Sequence, residues 1–353
     1  MNSKKFFFGM LVGLLSCCAV IAAFIIVIDP YFQYHEPFEG MYYRLGDERY
    51  VNAGIVKNFD YDAMITGTSM AENFKTSEAE ELFGMPFVKV PLEGASYKEI
   101  NGIIELGLEN NPDVKMVIRA VDISGLGTDK DLRNYTDDTW PGYLYDKNYF
   151  NDLEYLLNKE IIKEAYSNLQ KSLQGWTSTS FDDYANWNDE STFGKEEILA
   201  YYDRPEKVNE GSFLSEEEKK MIEENVRQNV TAIAEKYPEV EFYYFIPPYS
   251  IVYWDRENQK GTLERQIESQ RILIEEMLKY SNIKIFGFSN SVEIITELDN
   301  YKDIAHYGED INSELLRLMS RDECLITSGN YEAYIECLYE VFANYDYDSI
   351  FAN

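Results

Sequence analysis

Three residue types in two short stretches could together perform nucleophilic chemistry. Ser69 follows an apolar run in Tyr61-Asp-Ala-Met-Ile-Thr-Gly-Thr-Ser-Met-Ala-Glu-Asn73, and Asp303-Ile-Ala-His306 lies far downstream. A serine hydroxyl is a weak nucleophile until a base takes its proton, and near neutral pH that base is usually histidine. The chain holds two histidines, His35 and His306. His35 stands a few residues beyond an apolar N-terminal stretch, so His306 is the candidate base. Asp303, three residues before it, is spaced to turn its carboxylate onto the imidazole and fix its tautomer. A lone histidine is by itself more simply read as a structural hydrogen-bonder. The pairing of a strand-end serine with Asp-x-x-His favours catalysis.

Such groups must be delivered by elements, and the pattern supplies them. The run from Tyr61 to Thr66 predicts a strand that breaks at Gly67, where a residue without Cβ permits a sharp turn into an expected helix. Free N–H groups at that helix start could face an anionic oxygen. Further strands are expected at Phe87–Val90, Lys115–Val121, Val240–Ile246 and Ile283–Phe286. Between them, capping-box signatures open helices at Ser77-Glu-Ala-Glu80, Ser96-Tyr-Lys-Glu99 and Ser215-Glu-Glu-Glu218. The last two helices run towards Asn110 and Lys236. Later helices are expected from about Leu263 to Tyr280, Asp310 to Ser320 and Cys324 to Ala343. Strands alternating with helices imply an α/β fold, a three-layer sandwich around a mostly parallel five-stranded sheet. Ligand sites in such sheets lie at the carboxyl ends of the strands, where Ser69 would stand.

Regularity fails between about residues 125 and 213, which are dense in Asp, Asn, Tyr and Trp and contain one helical pattern, Leu153 to Leu173. The insertion is either a lid or recognition element or a decoration with its own small core. The domain is thus expected over 59–320 with this insertion, followed by a C-terminal helix and tail over 321–353.

At the other end, Lys4 and Lys5 precede 23 apolar residues, Phe6 to Ile28, enough to span a bilayer with the amino terminus in the cytoplasm. A cleaved signal peptide is the alternative, but the apolar part is long and no small-x-small site follows it. Residues 1–28 are read as a stub and single-pass anchor, residues 29–58 as an aromatic linker packed on the domain, and everything after Asp29 as extracytoplasmic. Its tyrosines either rest at the membrane interface or cover the domain's base. The chain carries 32 Lys and Arg against 63 Asp and Glu, a net charge of −31. That balance argues against a nucleic-acid partner and serves solubility. Cys324 and Cys337 lie outside the anchor and are equally readable as one disulfide or two free thiols. No Cys/His spacing suggests zinc, and the chemistry outlined needs neither metal nor cofactor.

With these residues in view, the chain resembles the SGNH/GDSL hydrolase superfamily. Gly67-Thr68-Ser69-Met70 is similar to its first block, with Thr68 where Asp is common. Gly94, after the second strand, matches the oxyanion glycine of the second, and Asp303-Ile-Ala-His306 matches the last. The third block normally offers an asparagine, whereas the third strand here ends in Arg119-Ala-Val-Asp122. An ionised carboxylate only accepts hydrogen bonds and would repel a developing oxyanion. Asp122 is therefore protonated, or replaced by another donor such as the backbone N–H of Ser69 or Gly94, or binds a cationic part of the substrate.

The anchored layout further resembles D-alanyl-lipoteichoic acid esterases and polysaccharide O-acetyltransferases of that superfamily. The stretches Asp29-Pro-Tyr-Phe-Gln-Tyr-His35 and Asn73-Phe-Lys-Thr76 are similar to anchored proteins of Gram-positive bacteria. The resemblance implies an extracytoplasmic serine esterase or acyltransferase acting on acetyl or alanyl groups of an acylated cell-envelope polymer. It also implies a membrane-bound O-acyltransferase as partner. The alternative is a non-catalytic envelope module whose cleft holds a glycan or a membrane partner.

Overall fold

The computed structural model describes residues 3–136, 139–148 and 150–352. It divides into two compact units. One combines Tyr61–Asn134 with Phe181–Asn353, and the other combines Met1–Asp60 with Tyr135–Ser180. Of the residues read as an insertion, 125–134 and 181–213 thus belong to the first unit, and the aromatic stretch 29–58 belongs to the second.

The first unit is built on a sheet of six strands: β1 (Ala63–Thr66), β2 (Phe87–Lys89), β3 (Met116–Ala120), β4 (Glu241–Ile246), β5 (Ile283–Gly287) and β6 (Leu325–Ile326). Their order is β2-β1-β3-β4-β5-β6. The first five pair in parallel, and β6 pairs antiparallel to β5. The five-stranded expectation therefore needs correction, since the sheet is mixed and has a sixth strand. Asp322 and Cys324 both adopt a left-handed backbone (φ 55° and 59°), which turns the chain back after the helix Glu309–Ser320 and lays it along β5. The helix expected from Cys324 accordingly starts only at Tyr331 and runs to Asn344. Cys324 and Cys337 are free thiols.

Parallel strands covered on both faces should read as continuous apolar runs, and β1, β2 and β3 are buried at every position. Two cations share that burial. Lys89 donates to the carbonyls of Glu72 and Phe74 at 2.5 and 2.8 Å. Arg119 lies between the rings of Tyr97 and Tyr244, and its Nη1 donates to the Asn229 carbonyl at 2.7 Å. Asn229 sits in one π-helical turn, Arg227–Thr231, inside the run Glu216–Lys236, where the wider winding changes the carbonyl partners.

The capping boxes at Ser96 and Ser215 form. The one expected at Ser77 does not. The helix starts two residues earlier, at Thr76 with Lys75 in the cap position, and the Ser77 hydroxyl donates to Asp182 at 2.5 Å instead. Beyond Pro247-Pro248-Tyr249 the chain forms a helix at Ile251–Gln259, where the sequence pattern predicts none.

The second unit holds the apolar helix Ser3–Ile28, long and apolar enough to cross a membrane. It also holds a helix at Glu48–Asn58 and two at Leu153–Leu156 and Lys159–Gln174, divided where Asn158 caps the second. The helix at Glu48–Asn58 lies in what reads as linker. Near its middle, Gly54 presses on the backbone of Tyr31 and Phe32, where a Cβ would stand 2.1 Å from the Tyr31 carbonyl oxygen.

Candidate active site

Strand order reverses between β1 and β3, and the crevice beyond their carboxyl ends is where open α/β sheets hold ligands. Ser69 arrives there from β1 through Gly67. The Gly67 backbone (φ 149°) leaves no room for a side chain, since a Cβ would meet that of Ala120 at 2.7 Å. Ser69 opens a single 3-10 turn, Ser69–Ala71, rather than the expected helix. The site therefore offers individual N–H groups and no extended helix dipole. Thr68 caps that turn, accepting from the Met70 N–H at 3.4 Å.

His306 comes from the segment after β5. Tyr301 and Tyr307 bridge across this loop, the Tyr301 hydroxyl donates to the Pro248 carbonyl at 2.7 Å, and the Ser250 hydroxyl donates to the Ile304 carbonyl at 2.7 Å. So held, His306 Nε2 lies 2.7 Å from Ser69 Oγ, and its Nδ1 lies 2.7 Å from Asp303 Oδ2. The other carboxylate oxygen accepts the backbone N–H groups of Ala305 and His306, each at 2.8 Å. Burial pushes the Asp303 carboxyl up. The hydrogen bond and charge of His306, with the two backbone donors, outweigh it and leave the group below the usual carboxylate range. Because an ionised Asp303 can only accept, the Nδ1 must carry the proton, and Nε2 is left to accept from Ser69.

Beside this relay is a cavity of about 400 Å³. Ser69, Gly94, Asp122, Asn134, Tyr249 and His306 are among its lining residues, with Ile100 and Leu132 on an apolar side. Gly94 takes a left-handed backbone (φ 64°), and its carbonyl accepts from the Asn134 amide at 2.7 Å. Among the described residues, the backbone N–H groups of Ser69 and Gly94 have no acceptor. They are the donors available to an oxyanion.

Asp122 is engaged otherwise. Thr68 Oγ1 donates to one of its oxygens and the Tyr249 hydroxyl to the other, both at 2.5 Å, while the Tyr97 hydroxyl holds its carbonyl at 2.6 Å. Burial raises the Asp122 carboxyl, and these two hydroxyls, His306 and Arg119 only partly offset it. A raised carboxyl favours the folded state below its unfolded value, and that advantage is lost as pH rises through the folded one. Asparagine imitates the neutral acid. Asp122→Asn should therefore melt above the wild type at neutral and alkaline pH, with the gap closing on acidification, in thermal melts recorded as a pH series.

Tyr249, Asn134 and Trp187 belong to the site and are not evident in the sequence. Trp187 meets the His306 ring edge to face at 5.8 Å between centroids, and its backbone N–H donates to Asn73 Oδ1 at 3.0 Å. The Lys302 ammonium stands 3.4 Å above the indole, a cation–π contact that braces the ring against the histidine. Burial lowers the Lys302 ammonium, against the opposing pull of Asp303, Glu72 and Glu93.

No family model and no curated protein matches this chain. Among solved structures it is similar to "The structure of a putative platelet activating factor from Streptococcus pneumonia", at 12% identity and a TM-score of 0.36, covering 78% of this chain and 90% of that one.

Proposed function

We propose that the protein is an extracytoplasmic serine esterase or acyltransferase of the SGNH type, acting on acetyl or alanyl groups of envelope glycans or teichoic acids. The observation that carries this reading is the unbroken relay Ser69–His306–Asp303, with hydrogen bonds of 2.7 Å at both links. In the proposed cycle, Ser69 Oγ attacks the acyl carbon as its proton passes to His306 Nε2. The N–H groups of Ser69 and Gly94 receive the charge on the carbonyl oxygen. His306 then protonates the departing alkoxide. Water or a glycan hydroxyl, deprotonated by the same nitrogen, releases the acyl group and frees the serine. Asp303 keeps the imidazole in register and stabilises its cation.

Esterase and transferase differ only in which acceptor reaches the acyl-enzyme. A membrane-bound O-acyltransferase would be the source of acyl groups for the transferase case, with the helix Ser3–Ile28 holding the chain beside it. The formed relay supports catalysis over a glycan-holding module, which would have no use for an activated serine.

Hydrolysis of 4-nitrophenyl acetate by the full chain in detergent tests the reading. The rate is expected to be lost in His306→Ala, because no other base stands within reach of the Ser69 hydroxyl among the described residues. A rate unchanged in that variant would contradict the assignment. Adding an oligosaccharide acceptor and analysing the products by mass spectrometry separates transfer, which yields acylated sugar, from hydrolysis.

A further inference from the structure

The aromatic stretch after the apolar helix has a use that the candidate active site does not explain. The chain reverses at once beyond Ile28, with Asp29 and Phe32 both in a left-handed backbone (φ 42° and 60°). Asp29 caps the reversal by accepting the backbone N–H groups of Gln33, Tyr34 and His35 at 2.7 to 3.0 Å. The Tyr155 hydroxyl donates to the same carboxylate at 2.7 Å, and the Tyr34 hydroxyl donates to Asp152 at 3.0 Å. The short helix Leu153–Leu156 is thereby tied to the foot of the apolar helix, which packs against it and against Lys159–Gln174.

On the segments tied to or following that foot, large apolar side chains are exposed. Phe150 is 93% exposed, Leu153 61% and Phe38 54%. Phe38 is fixed in height, because the tilted His35 ring meets it at 4.5 Å between centroids and has its Nε2 2.8 Å from the Ile26 carbonyl oxygen. An apolar helical run of this length, roughly 34 Å at 1.5 Å per residue, slightly exceeds a hydrocarbon core of about 30 Å. Ile26 to Asp29 then fall at the far boundary of the core, and whatever is bonded to them lies at that level.

We propose that Phe38, Phe150 and Leu153 insert into the outer leaflet beside the apolar helix, so that this unit is seated in the lipid interface rather than suspended from a tether. The proposal rests on the reading of Ser3–Ile28 as a membrane span. Exposed apolar groups at a fixed depth match interfacial seating. Beyond Ile28 this unit carries 7 Lys and Arg against 13 Asp and Glu, an acidic balance that gives no net attraction to anionic headgroups, so apolar contact must hold it there.

The test uses the full chain with Cys17, Cys18, Cys324 and Cys337 replaced by alanine, carrying one nitroxide at Phe38→Cys, Phe150→Cys, Leu153→Cys or Val12→Cys, in phosphatidylcholine vesicles. Paramagnetic resonance then compares collisions with dissolved oxygen and with a water-soluble nickel chelate. The expected result is an oxygen-to-nickel ratio at 38, 150 and 153 several-fold above that of the same nitroxide on free cysteine in buffer, and below that at 12. Buffer-like ratios at 38, 150 and 153, with a lipid-like ratio at 12, would overturn the seating while leaving the span intact. A buffer-like ratio at 12 as well would remove the span and the seating with it.

Discussion

Ser69→Ala is expected to remove on the order of 10⁶-fold from kcat for ester hydrolysis, the loss typical of deleting the nucleophile from a Ser-His-Asp array. Ser69 is the group that His306 Nε2 faces at 2.7 Å, so no neighbouring hydroxyl can be activated in its place without a rearrangement of the loop that carries the histidine. Thr68 is no substitute, because its hydroxyl is committed to Asp122. The variant should fold as the wild type does, since the change removes one oxygen from a partly buried position. Steady-state hydrolysis beside a melting curve checks both statements. A loss of tenfold or less would mean that the measured turnover does not pass through this serine.

Asp303→Asn should lower kcat by about 10⁴-fold, because an amide can donate to Nδ1 and so place the ring proton on Nε2, where it blocks acceptance from Ser69. The same substitution carries a stability signature of defined sign. Asp303 sits below its ordinary range, and a depressed carboxyl contributes stability that is present above its unfolded value and lost as pH falls through the folded one. The variant should therefore melt below the wild type at neutral pH, and the difference should shrink on acidification. This trend is opposite in sign to that expected for Asp122→Asn. Paired melting series on the two variants distinguish the two carboxylates without reference to activity.

The relay was legible in the sequence because its members sit where chain pattern alone locates them. Ser69 ends the first regular strand, and His306 is one of two histidines, with an aspartate at the spacing of one loop turn. Tyr249, Asn134 and Trp187 left no such trace. Each lies in irregular chain, and its part in the site depends on a partner brought near only by folding: Asp122 for Tyr249, the Gly94 carbonyl for Asn134, His306 for Trp187. The false cap at Ser77 has the same origin, since the hydroxyl that could close a local box is drawn to Asp182. Local pattern also misread the end of the chain. The residues after Ser320 are apolar enough for one helix, but β5 presents an open edge, and Gly287 lets Ile326 and Tyr334 pack directly on it. The two buried cations show the converse, a strand pattern surviving Lys89 and Arg119 because backbone carbonyls receive them.

Activation of Ser69 as a nucleophile can be read by covalent labelling. The full chain in detergent would be treated with a fluorophosphonate probe and digested, and the modified peptide located by mass spectrometry, alongside Ser69→Ala and His306→Ala. One adduct is expected, on Ser69 and absent from both variants; a folded wild-type chain that takes no label, or takes it at another residue, would show that Ser69 is not an activated nucleophile.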